Sequence, residues 1–214
     1  SIHRQYSPHY QSIISKYRLY QLVHRFYLLW QIEKPTNFAL VNKKQQLKNR
    51  FKMKRLEVLG LNEKKVENVV NELSVLLADF QVFYSNLRNF HWNVKGHGFF
   101  VLHRKYEELY NDAAEKVDEV AERILQLGST PESRFSVYLQ TSEIKEADVV
   151  SCSKEAVDLL LDYYKILIAR ERRIIDLATE AHDDTTVSLM NDFLVGQEKT
   201  VWMLVAVSSQ NCAE

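Results

Sequence analysis

From Val66 to Phe90 the apolar residues fall at every third or fourth position: Val66, Val69, Val70, Leu73, Leu76, Leu77, Phe80, Phe83, Leu87 and Phe90. That spacing returns a side chain to one side of an α-helix for about seven turns, and a pleated strand would scatter it over both faces. Gly96-His97-Gly98 then supplies the backbone freedom for a turn. Phe99, Leu102, Tyr106, Leu109, Ala113, Val117, Val120, Ala121 and Ile124 resume the same period, and Gly128 is placed to stop it. A third stripe runs from about Ser153 to Glu180 through Val157, Leu160, Leu161, Tyr164, Leu167, Ile168, Ile174, Ile175 and Ala178, broken once by Glu171. Asp183-Asp184 opens a fourth, which carries Val187, Met190, Leu194, Val201 and Leu204. Strand-like alternation is absent, so the fold class is all-α.

Between the second and third stripes, Thr130-Pro131 reads as an N-cap followed by proline at the first helical position, which predicts a short helix ending near Gln140. Four long helices with a short helix in the crossover between the second and third fit a ferritin-like four-helix bundle.

The net charge of zero hides a division. Residues 1–52 hold ten Lys or Arg against one acid, Glu33, whereas residues 53–214 hold the other 18 bases against 27 acids. A leader of +9 is thus joined to a body of −9. The body is long enough for one domain with its own core. The leader, residues 1–52, has no Gly, Asp or Met and carries nine aromatic residues. Tyr10, Ile13, Ile14, Tyr17, Tyr20, Val23, Phe26 and Tyr27 give it some helical period that nothing beyond them sustains, and the first methionine is Met53, where the well-patterned body, 53–214, begins. The leader reads either as upstream sequence outside the working protein or as a basic arm for nucleic acid.

Cys152 and Cys212 have no metal or redox spacing, which fits a reducing cytosol. No apolar run approaches the ~20 residues of a membrane span. Phe26–Trp30 is too short for a secretory signal and has no small-residue cleavage pattern after it.

The candidate chemistry lies in His91, His103, Asp118 and Glu122. If residues 99 to 127 form one helix, a rise of ~1.5 Å per residue puts Asp118 about 22 Å and Glu122 about 28 Å from His103. No rotamer closes that gap, so a shared metal site needs a second copy running antiparallel across a two-fold axis. Asp118 and Glu122 are four apart and share a face, able to bind one ion or bridge two. The turn at Gly96–Gly98 folds His91 and His103 towards each other, and Glu107 adds an oxygen donor one turn after His103. Imidazole nitrogen with carboxylate oxygen suits ferrous iron. The body has no Glu-x-x-His repeat of the kind that builds two-iron sites inside a bundle, which again points to a subunit interface.

The string N-F-H-W-N-V-K-G-H-G-F-F-V-L-H, from Asn89 to His103, followed by D-E-V-A-E-R-I from Asp118 to Ile124, resembles the ferroxidase signature of the Dps family, the DNA-binding proteins from starved cells or miniferritins. The resemblance extends from about Met53 to Trp202, through Leu127-Gly128-Ser129-Thr130-Pro131 and the Q-E-K-T-V-W run from Gln197 to Trp202. It implies that His91, His103, Asp118 and Glu122 are iron ligands, with Glu107 where many members have Asp. It further implies a homo-oligomeric hollow shell of twelve subunits in the bacterial cytosol. Such a shell oxidises Fe(II), preferably with hydrogen peroxide, at an intersubunit two-iron site and stores ferric mineral inside. The family position of Trp92 suggests radical quenching or electron transfer, against the plainer reading of a packed interface side chain. Asp183 and Asp184 fall where family members carry acidic residues near an iron-entry pore, and they equally suit a helix cap. His97, between two glycines, is expected to face solvent.

An acidic body repels phosphate, so DNA binding would rest on Lys43, Lys44, Lys48, Arg50 and Lys52 or their neighbours, multiplied by the copies in a shell. Three function classes follow. The first is a ferroxidase and iron-storage shell that protects against oxidative stress. The second is a nucleoid-compacting DNA-binding protein acting through basic arms, and the third a helical scaffold with a silent or zinc-filled site. Oxidation of Fe(II) by peroxide, beside a gel shift at two salt concentrations, separates them.

Overall fold

The computed structural model describes residues 37–208, with side chains from Val41 onward; the stripe from Tyr10 to Tyr27, the Phe26–Trp30 run and Cys212 lie outside the described residues. Among the described residues six helices follow in order: α1 (Asn37–Leu59), α2 (Glu63–Asn93), α3 (Phe99–Gln126), α4 (Phe135–Thr141), α5 (Ser153–Ala181) and α6 (Asp184–Ser208). Among the described residues there is no strand. α2 packs against α3, α5 and α4, and α6 packs against α5, so the long helices α2, α3, α5 and α6 make the bundle and α4 sits in its crossover.

The apolar stripes become the core. Val66, Val69, Leu73, Leu76, Leu87 and Phe90 of α2 are fully buried, as are Val120 and Ile124 of α3, Leu160, Leu167 and Ile174 of α5, and Met190 of α6. Aromatic edges lock the layers: Phe80 meets Phe193 at 5.9 Å and Phe83 meets Tyr164 at 5.4 Å between ring centroids.

Helix ends follow the local chemistry. Asn62 caps α2, its Oδ1 accepting from the backbone N–H of Lys64 at 3.1 Å and Lys65 at 3.3 Å. Gly128, at φ +84°, closes α3 by donating to Leu125 O at 3.0 Å, while Ser129 N–H reaches back to Ile124 O at 3.1 Å. A side chain at Gly128 would also put its Cβ 2.7 Å from Lys52 Cγ. α5 ends in the same way at His182, which holds φ 58° without being glycine, and Asp183 N–H bonds Ala178 O at 2.8 Å.

Two elements differ from expectation. The crossover helix starts at Phe135, not at Pro131. Glu132 holds the intervening chain out of the helix: its Oε1 accepts from the backbone N–H of Ser133 at 2.8 Å and Arg134 at 3.1 Å, and its carboxylate pairs with the Arg134 guanidinium at 2.6 Å. Such local side-chain bonds compete directly with the helical ladder. The second difference is α1, which continues through Met53 without an apolar stripe. Every side chain from Val41 to Phe51 is exposed. The helix arises from propensity, since Lys, Gln, Leu, Arg, Met and Glu dominate it and neither Gly nor Pro interrupts it. The chain divides into two compact units between Arg50 and Phe51, inside α1. Leu56 is buried in the bundle core, and Arg55 donates to Leu125 O.

A buried polar seam ties the crossover to the bundle. Asp79, fully buried on α2, accepts from Ser142 Oγ at 2.9 Å, Glu143 N–H at 2.7 Å and Arg170 Nε at 3.2 Å. Burial pushes its carboxyl upward, and these donors oppose the shift. Asn86 donates to Lys145 O at 2.8 Å and accepts from Ala147 N–H at 3.0 Å, so the segment after α4 is stitched along α2.

Candidate metal centre

His91 lies in the last turn of α2 and His103 in the first turns of α3, and the turn between the helices brings them together. Their rings stack with centroids 3.8 Å apart and planes 20° from parallel. The hydrogen bonds are reciprocal: His91 Nδ1 meets His103 O at 2.8 Å, and His103 Nδ1 meets His91 O at 2.8 Å. A carbonyl only accepts, so each Nδ1 carries the proton and donates. With the proton on Nδ1, Nε2 is the nitrogen of each ring left to offer a lone pair to a ligand. Backbone carbonyls that fix tautomer and ring orientation are the usual support of a metal-binding histidine.

Three aromatic or acidic neighbours frame the pair. Phe99 stacks on His103 at 5.1 Å, Tyr110 presents an edge to His91 at 5.3 Å, and the Tyr110 hydroxyl lies 3.5 Å from Glu107 Oε1. Glu107 is exposed, at the same end of α3 as His103. Tyr110 was missed by the sequence reading; its signal is a place seven residues after His103 and three after Glu107, on one helical face.

Asp118 and Glu122 are elsewhere. Both are exposed on α3, which runs unbroken from Phe99 to Gln126, so the spacing of about 22 Å and 28 Å from His103 holds. Among the described residues no three His, Cys, Asp or Glu side chains gather into a metal-holding set. The chain thus presents a nitrogen-rich half (His91, His103, with Glu107 nearby) and a carboxylate half (Asp118, Glu122) that it cannot unite. His97 is exposed in the turn, and Trp92 is 63% exposed with the Arg88 guanidinium 4.6 Å over its ring.

Within the single chain Asp183 takes the helix-cap role. It is 2% exposed and bound to Arg123 Nη2 at 2.5 Å. It also caps α6, accepting from Thr186 N–H at 3.1 Å and Thr186 Oγ1 at 2.6 Å, while Arg123 Nε donates to Thr186 Oγ1 at 2.8 Å. Arg123 of the A-E-R-I segment therefore turns into the bundle while Glu122 beside it stays outside. Asp184 remains exposed at the start of α6.

A four-helix bundle with a crossover helix belongs to a recognisable class, and the ferritin-like domain family matches residues 70–210. The DNA protection during starvation protein of Porphyromonas gingivalis is 55% identical over 157 residues, spanning 73% of this chain and 99% of that one. The crystal structure of the DPS protein from Vibrio cholerae O1, described as a member of a broad superfamily of ferritin-like diiron-carboxylate proteins, aligns with a TM-score of 0.67 at 44% identity, covering 68% of this chain and 92% of that one. A Dps protein from Bacillus brevis aligns with a TM-score of 0.66 at 36% identity, covering 67% and 97%. The chain belongs to the Dps family of ferritin-like proteins. No helix among the described residues is long and apolar enough to cross a membrane.

Proposed function

We propose that this protein is a ferroxidase and iron-storage shell whose two-iron sites form between antiparallel copies of the chain. The observation that supports the reading is a histidine pair gathered where α2 turns into α3, and a carboxylate pair at the far end of the same unbroken α3, each short of ligands. A two-fold axis sets His91 and His103 of one subunit against Asp118 and Glu122 of the other, and makes two equivalent sites per dimer. Glu107 supplies a further oxygen to the second iron. Exposed Trp92, Phe100 and Val101 around the histidine turn give that face apolar area to bury against a partner.

Fe(II) is the substrate. Two ferrous ions held together give one electron each to hydrogen peroxide; its O–O bond breaks, two protons are taken up and two waters form. No hydroxyl radical is released, because neither electron is delivered alone. The ferric product passes to mineral inside a closed homo-oligomeric shell of twelve subunits, where an acidic body draws in cations. Such a protein works in the bacterial cytosol against oxidative stress.

A second reading has an observation of its own. Lys43, Lys44, Lys48 and Arg50 are all exposed on α1, which suits binding to DNA phosphates at the nucleoid.

The double substitution His103→Ala/Asp118→Ala tests the ferroxidase reading. Rapid peroxide-dependent Fe(II) oxidation, followed by stopped-flow absorbance, is expected to disappear while size-exclusion chromatography still shows the assembled shell. Unchanged oxidation in an intact shell would overturn the assignment.

A further inference from the structure

The third apolar stripe is interrupted by Glu171, and the structure puts that carboxyl in the middle of the bundle, 0% exposed. Its partner is Gln197 of α6, 3% exposed, whose Nε2 donates to Glu171 Oε1 at 2.5 Å. Two polar atoms of this pair have no partner: Glu171 Oε2 and Gln197 Oε1. Both are acceptors when the carboxyl is ionised, so each is a buried lone pair facing no donor, which a folded interior rarely tolerates.

One proton resolves both deficits. A carboxylic acid and a primary amide form a ring in which the amide N–H donates to one carboxyl oxygen and the acid O–H donates to the amide oxygen. That ring uses all four atoms of the Glu171–Gln197 pair, including the two left over. We infer that Glu171 is held in its neutral, protonated form in the folded protein, as an acid–amide clasp with Gln197 that joins α5 to α6.

The charged groups around the pair support the neutral form. On α3, Lys116 acts on Glu171 from a neighbouring helix, and its ammonium is committed to Asp112 and lies 5.1 Å over the Phe193 ring. Asp112 itself opposes ionisation of Glu171. Arg172, next in sequence on α5, favours it weakly and is paired with Glu198 at 2.7 Å. Tyr164, one helical stretch earlier on α5, is neutral, its phenol pushed up chiefly by burial. From α2 the acids Glu72 and Asp79 are both taken by Arg170. Desolvation is the largest influence on Glu171 and pushes its carboxyl up to about 8.

The sign follows. A carboxyl whose folded value lies above its unfolded 4.5 binds a proton on folding. Its stabilisation is complete below the unfolded value and is lost as pH rises through the folded one, with the folding constant falling about tenfold per pH unit between them. The bundle therefore loses stability as pH rises from 4.5 to about 8, at a place remote from His91, His103, Asp118 and Glu122.

Glu171→Gln is the test, in the assembled full-length protein. Two facing amides form the same ring with no titrating proton. Infrared difference spectra of wild type against E171Q at pH 7 are expected to show a protonated carboxyl C=O band that shifts in D2O. Thermal midpoints compared from pH 5 to pH 9 should fall in wild type relative to E171Q as pH rises, with the two closest at pH 5. Should E171Q assemble poorly, the same band is sought in wild type at pH 7 and should vanish at pH 10. Absence of the band at pH 7, or parallel midpoint curves for the two proteins, would overturn the inference. Neither readout depends on iron oxidation, so it stands or falls apart from the proposed ferroxidase.

Discussion

At the scale of single residues, the same segment, Asp118 to Ile124, contains side chains with opposite fates. Glu122 faces outward and is available to a partner, whereas Arg123 turns in and closes a buried triad with Asp183 and Thr186. Removing one member of a buried ion pair leaves an uncompensated charge and costs about 3–5 kcal/mol. Asp183→Ala should therefore lower the apparent unfolding free energy by about that amount in denaturant titration, and leave the rate of Fe(II) entry into surviving shells nearly unchanged. A pore residue would behave in reverse, slowing uptake with little loss of stability. The histidine pair was legible from sequence because its two members are twelve residues apart across one glycine turn. The Arg123–Asp183 pair was not, because its partners meet only after three helices have packed. Asp79 was hidden in the same way, a polar residue inside an apolar stripe whose donors come from the distant crossover.

At the scale of elements, apolar period served where burial decides structure. The ends of α5 and the start of α6 fall within a residue of where Ser153, Glu180 and Asp183-Asp184 placed them. Period failed where something else decides: α1 is held by propensity, and the start of α4 is set by Glu132. Because α1 straddles the division between Arg50 and Phe51, a chain lacking residues 1–50 keeps Leu56 in the core and Arg55 on Leu125 O. That chain is expected to assemble and oxidise iron as the full protein does. It should lose nearly all DNA binding in gel shifts, and the binding of the full protein should drop steeply with salt as counterion release requires. A truncated shell that still shifts DNA at moderate salt without divalent cations would place the basic surface on the folded bundle instead.

At the scale of the whole molecule, the central claim is that one chain is incomplete. A continuous α3 carries His103, stacked on His91 of α2, at one end and Asp118 and Glu122 at the other, and helix geometry forbids their meeting within a subunit. The juxtaposition of His91 and His103 and the distance of Asp118 and Glu122 from them were legible in the sequence, because spacing alone shows what a rigid helix cannot do; under the proposed function, what lies across from each half belongs to a second copy. The most direct measurement is complementation in mixed shells. One chain carries His91→Ala/His103→Ala and the other Asp118→Ala/Glu122→Ala, each inactive alone, and the two are unfolded and reassembled together in equal amounts. Half the dimers are then heterodimers, each with one site holding its main ligands and one holding none, so about a quarter of wild-type oxidation per subunit should return. Co-assembled shells, verified by native mass spectrometry, that oxidise Fe(II) no faster than the separate parents would contradict the intersubunit site.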